Sequence, residues 1–256
     1  MTDTPLKVSL ERDGQLLELR LARPKANIID ATMIQALDDA FDEHAGSASL
    51  KAILISAEGP HFSFGASVEE HLPDQCAAML ESFHKLILRM VDSPVPILVA
   101  VHGQCLGGGL EVASAGHLIF AGPDAKMGQP EIKLGVFAPA ASCLLPIRIG
   151  QARAEDLLLS GRSIDAKEAY LFGLVNSIDD DPRAAAIAWF DEHLAPLSAE
   201  SLRYATAAVR GGVRAQMHQR LAEVESLYLD KLMKTNDAAE GLNAFITGRP
   251  PVWENG

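Results

Sequence analysis

The sequence predicts an α/β fold, with a mostly parallel sheet in the first half of the chain and a largely helical second half. Up to about residue 122, short apolar runs typical of buried strands alternate with longer segments whose apolar residues follow helical spacing. From about residue 150 onward, nearly every segment has helical spacing. Because parallel strands must be joined by crossover connections, this alternation favours a sheet with helices on its faces.

Local signals place the elements of the first half in order. Asp13 and Gly14 stand between two apolar-rich runs and predict a hairpin turn. Asp30 suits the capping position of a helix whose apolar residues share one face. The predicted strands cover residues 8–12, 16–22, 51–57, 96–103 and 117–122, the helices cover residues 30–44 and 75–91, and loops cover residues 23–27 and 58–67.

The second half contains six segments with helical spacing and one short strand. The predicted helices cover residues 153–160, 165–173, 181–195, 198–210, 216–234 and 237–247, and the strand covers residues 174–178. No low-complexity linker divides the two halves, and no fixed-period repeat is present. These helices carry more apolar residues than a lone surface layer needs, which indicates packing on the first half of the chain or on a neighbouring subunit.

Composition and charge limit the classes of function. The chain has 256 residues, 48% hydrophobic and 22% charged, and its formal net charge is -12, which argues against general nucleic-acid binding. Its three cysteines are widely spaced without a CxxC pair, and no HExxH spacing occurs, so neither disulfides nor a metal site are expected. No apolar run is long enough to span a membrane and the first residues lack a signal core, so we expect no membrane partner and a cytoplasmic location.

The segment HGQCLGGGLEVASAG, residues 102–116, places three consecutive glycines, Gly107 to Gly109, before a helix-like run. A glycine inside a helix costs about 0.5–1 kcal/mol relative to alanine, so three together indicate that another group approaches the backbone closely. A strand that ends in such a turn presents free N–H groups, which can hold an anion. The P-loop and GxGxxG patterns are absent. A tight contact between helix and strand is the alternative explanation.

A second loop strengthens the functional interpretation. HFSFGAS, residues 61–67, also follows a buried strand and contains Gly65 next to Ala66. N–H groups from the two loops could converge on one carbonyl oxygen as an oxyanion hole, in which each donor contributes about 2.7–4 kcal/mol to the transition state. Two acids in apolar sequence, Glu111 and Glu131, stand near the glycines, and burial would suit them to acid and base work. For either acid alone, a paired structural carboxylate is the alternative.

Three stretches, HFSFGAS, QCLGGGLEVASAGHLIFAGPDAKMGQPEIKLG and GQARAEDLLLSGRSIDAKEAYLFGLV, resemble the crotonase superfamily of enoyl-CoA hydratases and isomerases. The resemblance extends from RPKAN at residues 23–27 to AFITGRPPVW at residues 244–253. It implies a crotonase-like spiral of ββα units over residues 1–195, followed by a C-terminal helical trimerisation region over residues 196–256. It also implies an acyl-CoA substrate, no separate cofactor, and a homotrimer or homohexamer.

The resemblance assigns roles to residues that match the family's motifs. The two oxyanion amides fall on Ala66 and Gly108, and the two glutamates of the hydratases fall on Glu111 and Glu131. Because both acids are present, the resemblance favours a hydratase over branches that keep one or neither; which acid activates water is left open. Substrate contacts are expected from Arg23, Lys25, Ala26, Gly65, Gly107, Phe137, Pro139 and Cys143.

The sequence departs from the usual hydratase pattern in the segment LGVFAPAASCLLPIRIG, residues 134–150. Phe137, Ala138, Pro139 and Cys143 stand there in place of glycines and a polar residue, which should reshape the acyl pocket. The segment resembles the branch that adds water 1,4 across cyclohexa-1,5-diene-1-carbonyl-CoA, giving 6-hydroxycyclohex-1-ene-1-carbonyl-CoA in anaerobic benzoyl-CoA degradation. A short-chain 2-enoyl-CoA hydratase is the main alternative. A non-catalytic acyl-CoA- or RNA-binding member and a serine peptidase of related fold are the others.

Three polar residues that the family motifs do not assign to catalysis receive simpler interpretations. Ser67, which replaces a common acidic residue of the family, lies four positions before His71. No orienting group and no GxSxG pattern accompany them, so we expect a solvated helix face. Cys105 is expected to be a small core or pocket residue.

Two groups of residues keep two interpretations each. Arg23 and Lys25 stand in a loop that suits contact with the nucleotide end of coenzyme A, or they form a basic pair on the surface. Phe245, Arg249 and Trp253 lie near the tail, where they would cap the site of a neighbouring subunit or serve only their own chain.

Overall fold

The computed structural model describes residues 4–256, and this range contains nine strands. They are β1 (Leu6–Glu11), β2 (Leu16–Leu21), β3 (Ala52–Ala57), β4 (Ile97–Val101), β5 (Gln104–Leu106), β6 (Leu118–Ala121), β7 (Lys126–Gly128), β8 (Ser163–Asp165) and β9 (Ser177–Ile178). Six form a main sheet in the order β1-β2-β3-β4-β6-β9, in which β1 is antiparallel to β2 and all other neighbours are parallel. The predicted mostly parallel sheet is therefore confirmed.

Helices cover both faces of this sheet and make up most of the second half. They are α1 (Ala31–His44), α2 (Cys76–Val91), α3 (Gly108–Ala115), α4 (Pro139–Ile149), α5 (Gln151–Ser160), α6 (Ala166–Phe172), α7 (Pro182–His193), α8 (Ala199–Asp230) and α9 (Asn236–Ile246). Short 3-10 helices span Glu69–His71, Pro130–Leu134 and Leu232–Lys234. Within residues 4–256, no helix is both long and apolar enough to cross a membrane.

The central strands are apolar along their whole length because both of their faces are covered. Every residue of β3 and β4 is buried, as expected for parallel strands between helical layers. Ile53 and Ile55 of β3 belong to the large core that α1 and α2 share with the sheet. Leu54, between them, points to the opposite face, where it packs in a smaller core with Phe190 of α7.

Two local predictions of the sequence analysis are confirmed at the start of the chain. The strands β1 and β2 form an antiparallel hairpin, and the turn between them places Arg12, Asp13 and Gly14 at φ values of 56°, 55° and 80°. Asp30 caps α1, since its carboxylate accepts a hydrogen bond from the Met33 N–H at 3.0 Å. The predicted helix therefore begins where its capping residue stands.

A second sheet of three short strands positions the two segments that carry the glutamates and was not predicted. β5 pairs parallel with β7, and β7 pairs antiparallel with β8. Each strand has three residues, too few for a two-residue alternation to be recognised. β5 leads into α3, which carries Glu111 in its first turn, and β7 leads into the turn Pro130–Leu134, which carries Glu131. The parallel pairing thus brings the two glutamates to the same edge.

Helix α8 corrects the prediction of two separate helices at residues 198–210 and 216–234. It is one helix of 32 residues, and Gly211 and Gly212 lie inside it. Its buried face packs on α2 and α4, and this tertiary packing offsets the low helix propensity of two glycines. The predicted division between residues 195 and 196 falls in the turn before α8 and stays a prediction.

Both glycines of α8 offer a test of this packing. They are exposed, and a Cβ added at either position would meet no atom within 4 Å. Gly211→Ala and Gly212→Ala should each raise the free energy of unfolding by about 0.5–1 kcal/mol, measured by urea denaturation at several protein concentrations. A loss of stability would contradict this expectation and would indicate that another surface covers this part of α8.

Candidate active site

A cavity of about 770 Å³ lies beside the start of α3 and the turn Pro130–Leu134. It brings together most of the residues that the sequence analysis selected. The selected residues that line it are Ala26, Gly65, Ala66, Gly107, Gly108, Glu111, Glu131, Phe137 and Pro139. The loop at residues 61–67 and the glycine run, which lie far apart in the sequence, therefore face the same space.

The two backbone amides predicted as oxyanion donors come from adjacent loops. A Cβ built on Gly65, whose φ is 105°, would lie 3.1 Å from the Gly108 nitrogen, and one built on Gly108 would lie 3.0 Å from the Ala66 nitrogen. Neither the Ala66 nor the Gly108 N–H donates a hydrogen bond to a backbone group in residues 4–256. Both are therefore free to donate to an oxygen atom in the cavity.

Each glycine of the run has its own close neighbour. A Cβ on Gly107, whose φ is 50°, would lie 2.5 Å from Oε1 of Glu131. A Cβ on Gly109 would lie 2.7 Å from the Cβ of Ser63. Tight packing, which the sequence analysis kept as an alternative, therefore explains Gly109. Gly107 and Gly108 instead leave room for the Glu131 carboxylate and for the Ala66 amide.

Glu111 is a buried carboxyl group at the start of α3. Its side chain is 4% exposed, and its Oε1 accepts a hydrogen bond from the Ala141 N–H at 2.8 Å. Ala141 lies in the first turn of α4, whose positive dipole end favours the ionised form. Burial nevertheless raises the pKa of Glu111 to about 7, against the opposing effect of the Ala140 and Ala141 amides.

Glu131 faces Glu111 from the turn after β7. Burial, and next the negative charge of Glu111, raise the pKa of Glu131 to about 8. With its amide nitrogen turned to the carboxylate, the buried Gln129 lies 3.0 Å from both oxygens of Glu131; the reverse orientation would set oxygen against oxygen. Sequence reasoning missed Gln129, although its position two residues before the acid was the available signal.

The rest of the cavity wall is mostly apolar. It includes Met79, Leu80, Phe83, Leu134, Val136, Phe137, Ala138, Pro139, Leu242 and Phe245. Phe245, on α9, therefore lines the cavity of its own chain. Two other tail residues contact their own chain as well, since Trp253 packs over Gly135 and Gly241, and Arg249 forms an ion pair with Glu240.

Cys143 is the one expected pocket residue of the segment after LG that the cavity wall does not include. It is buried on α4 and is not among the residues that line the cavity. Cys143 follows Pro139 by one turn on the same face of α4, but at that depth it packs within the large hydrophobic core beyond the end of the cavity. Cys105 is likewise buried, within β5.

In agreement with the sequence analysis, Ser67 and His71 do not form a nucleophile–base pair. The Ser67 hydroxyl donates to Glu69 at 3.0 Å, and the His71 ring nitrogen Nδ1 lies 2.7 Å from the Ser67 carbonyl oxygen. The expectation of a solvated face is wrong for His71, because it is half-buried and lines the cavity. Burial lowers the pKa of His71, so its ring is neutral at pH 7.

A smaller cavity of about 390 Å³ adjoins the first one through Ala26 and contains Arg23 and Lys25. Arg23 donates to the Asp30 carboxylate at 2.8 Å, so its charge already has a partner within the chain. In residues 4–256, no group of three or more His, Cys, Asp or Glu side chains is arranged to hold a metal ion.

Comparison with known proteins identifies the family. The family model described as enoyl-CoA hydratase/isomerase matches residues 11–256, and the chain belongs to this family. An enoyl-CoA hydratase/isomerase from Pseudoalteromonas atlantica T6c shares the fold with a TM-score of 0.82 and 27% identity, over 97% of this chain and 99% of that one. An enoyl-CoA hydratase from Mycobacterium avium subsp. paratuberculosis K-10 has a TM-score of 0.84 at 24% identity, over 97% and 98%. The predicted crotonase-like fold is thus confirmed.

One relative is far more similar in sequence. The cyclohexa-1,5-dienecarbonyl-CoA hydratase of Thauera aromatica is 64% identical over 252 residues, which are 98% of each chain. Because the matched region covers nearly the whole chain, it includes residues 134–150, the segment in which this chain departs from the usual hydratase pattern.

The raised pKa of Glu111 predicts how stability changes with pH. A carboxyl group whose folded pKa is raised stabilises the fold below its unfolded pKa, and that contribution is lost as pH rises through about 7. Glu111→Gln, which cannot ionise, should therefore raise the free energy of unfolding by roughly 1–3 kcal/mol at pH 8 and have little effect at pH 5, measured by urea denaturation.

Glu18→Gln is the matched control. Glu18 is also buried, but hydrogen bonds from Arg183 and Ser56 outweigh its burial and lower its pKa. Its replacement should lower stability at pH 8. An equal effect of Glu111→Gln at pH 5 and pH 8 would mean that Glu111 is not a strained buried carboxylate.

Gly107→Ala tests the close approach of Glu131 to the backbone. The added Cβ would displace the Glu131 carboxylate, and we expect turnover to fall by about 10²-fold or more. Gly173→Ala is the control, because Gly173 also has a positive φ, of 80°, but an added Cβ there meets nothing within 4 Å. The control should lose stability and keep its turnover; comparable turnover losses in both variants would refute the role of Gly107.

Proposed function

We propose that this chain is a cyclohexa-1,5-diene-1-carbonyl-CoA hydratase, which adds water 1,4 to give 6-hydroxycyclohex-1-ene-1-carbonyl-CoA. The observation that carries the proposal is the placement of one buried and one half-buried carboxyl group, both with raised pKa values, beside two free backbone amides in one cavity. The likeness to the hydratase of Thauera aromatica supports the choice of substrate.

The proposed reaction begins with polarisation of the thioester. The Ala66 and Gly108 N–H groups donate to the thioester oxygen, which takes up negative charge as the water oxygen bonds to the β-carbon. A proton of that water passes to one carboxylate. The resulting dienolate carries charge at its γ-carbon, and the second carboxyl group transfers a proton there. One double bond remains, conjugated with the thioester, and the elements of water have been added.

The surroundings of the two glutamates favour one division of labour. Glu111 accepts the Ala141 N–H at the start of α4, an environment that stabilises a carboxylate, so we assign it the role of base toward water. Glu131 also has an amide donor, in Gln129, but burial and the nearby charge of Glu111 give it the higher pKa of the two, about 8 against about 7, so we assign it proton delivery to carbon. The two groups titrate as a coupled pair, and the pair alternates a proton between its members during turnover.

The wall of the cavity favours a ring over a flexible chain. Phe137 and Pro139 line it in the segment where many hydratases have glycines, and both are stiff side chains. A short-chain 2-enoyl-CoA hydratase remains the second candidate, supported by the family match. A non-catalytic acyl-CoA-binding member is disfavoured because both acids and both amides are present.

Coenzyme A enters the proposal as part of the substrate, and the reaction needs no further cofactor because the backbone amides stabilise the enolate. Lys25, in the adjoining cavity, is our candidate for contact with the nucleotide end. We also propose assembly into a homotrimer or homohexamer, supported by exposed apolar side chains on α8 such as Tyr204 and Val209, 72% and 75% exposed. A cytoplasmic location is supported by three free cysteines.

The reaction in deuterium oxide tests the proposal. We expect hydration of the cyclic diene with deuterium at the γ-carbon, located by NMR, and a kcat/KM far above that for crotonyl-CoA. Deuterium at the α-carbon, or equal kcat/KM values for the two substrates, would contradict 1,4-hydration.

Variants then test the two acids. Glu111→Gln and Glu131→Gln should each lower kcat by about 10²–10⁴-fold, because each removes a proton-transfer group. Glu69→Gln is the control, since Glu69 also lines the cavity but has no part in the proposed chemistry. Near-native turnover of either catalytic variant would assign that glutamate a structural role.

A further inference from the structure

Phe137 is supported from behind by a second aromatic ring. It lines the cavity on one side, and on the other it packs against Tyr228 of α8, with ring centroids 5.2 Å apart and planes at 77°. This edge-to-face arrangement is the geometry that aromatic pairs prefer, and it favours one orientation of the Phe137 ring. Tyr228 itself is fully buried and is not among the residues that line the cavity.

The hydroxyl group of Tyr228 does not explain its presence. It forms no hydrogen bond of good geometry among residues 4–256 and faces the Cys76 thiol, which is a weak partner. Burial, and next the Cys76 thiol and the charges of Glu131 and Glu111, raise the pKa of the phenol. A buried hydroxyl with only such a partner adds little to the stability of a fold. The part of Tyr228 that contributes at this position is therefore its ring, which closes the space between Phe137 and the start of α2.

The proposed reaction makes unusual demands on the orientation of the substrate ring. In 1,4-addition, the carbon that receives the water oxygen and the carbon that receives the proton lie opposite each other across the six-membered ring. Glu111 and Glu131 must each face one of them. The α-carbon also carries negative charge in the dienolate and lies two ring positions from the γ-carbon, so a displacement of the ring relative to the acid would allow protonation at the α-carbon instead. A wall whose own side chain changes orientation would not prevent that displacement.

We propose that Tyr228 is a positioning residue, which fixes the Phe137 ring so that the cyclic substrate lies in the one orientation that directs the proton to the γ-carbon. This inference rests on the proposed function and deepens it. It assigns a role in substrate choice and regiochemistry to a residue of α8, outside the cavity wall and far in sequence from the catalytic segments.

The test compares Tyr228→Leu with Tyr228→Phe. Tyr228→Leu removes the aromatic contact, and we expect the ratio of kcat/KM for the diene to that for crotonyl-CoA to fall by roughly two- to tenfold. A measurable share of the product formed in deuterium oxide should then carry the label at the α-carbon. Tyr228→Phe keeps the ring and loses only the hydroxyl, so it should retain both the ratio and the label position.

A folded Tyr228→Leu variant with wild-type ratio and label position would overturn the proposal. If this variant does not fold, Phe137→Leu removes the same contact from the cavity side, and an unchanged label position in that variant would also overturn it.

A measurement without substrate separates this proposal from the proposed function. With 4-fluorophenylalanine at position 137, the ligand-free protein should give one narrow ¹⁹F resonance, and Tyr228→Leu should broaden or split it while Tyr228→Phe does not. If wild type fails to hydrate the diene, the proposed function fails. If instead the resonance is unchanged in Tyr228→Leu, the aromatic support fails, whatever the substrate is.

Discussion

The active site depends on the absence of a Cβ at three successive positions at the start of α3. The backbone of residues 107–109 approaches three different groups: the carboxylate of Glu131, the amide of Ala66 and the side chain of Ser63. A methyl group at any of these positions would separate the loop at residues 61–67 from α3 or push Glu131 away. Glycine lowers the stability of a helix, but the chemistry at these positions requires a backbone without side chains.

The same close approach sets the electrostatics of the site. Glu111 lies one helical turn after Gly107, and Glu131 lies against the same glycine, so a buried and a half-buried carboxyl group stand close to each other. Burial raises the pKa of Glu111 to about 7, and burial together with the charge of Glu111 raises the pKa of Glu131 to about 8, which brings proton exchange close to neutral pH. The amides of α4 and the side chain of Gln129 then distinguish the two acids. This difference between the surroundings of Glu111 and Glu131 suits a reaction that needs one base and one acid.

The structural features that could be predicted from the sequence are those that depend on local patterns and motifs. Long strands, the capping of α1 by Asp30 and the two glycine loops all carry their signal within a few residues. The three-residue strands of the second sheet do not, because their pairing is determined by tertiary contacts. Continuity of α8 through Gly211 and Gly212 was missed for a related reason, since packing overrides propensity. His71 could be placed at the site only once the loop geometry was known, whereas the position of Gln129 two residues before Glu131 was a signal that the sequence contained.

The most direct test of the account is a crystal structure of the Glu131→Gln variant with cyclohexa-1,5-diene-1-carbonyl-CoA bound. The account predicts that the thioester oxygen lies about 2.7–3.1 Å from both the Ala66 and the Gly108 nitrogen atoms. It also predicts that the substrate ring lies against Phe137, with one end of the diene facing Glu111. A thioester oxygen bound outside this pair of amides, or a ring directed away from the two glutamate positions, would contradict it.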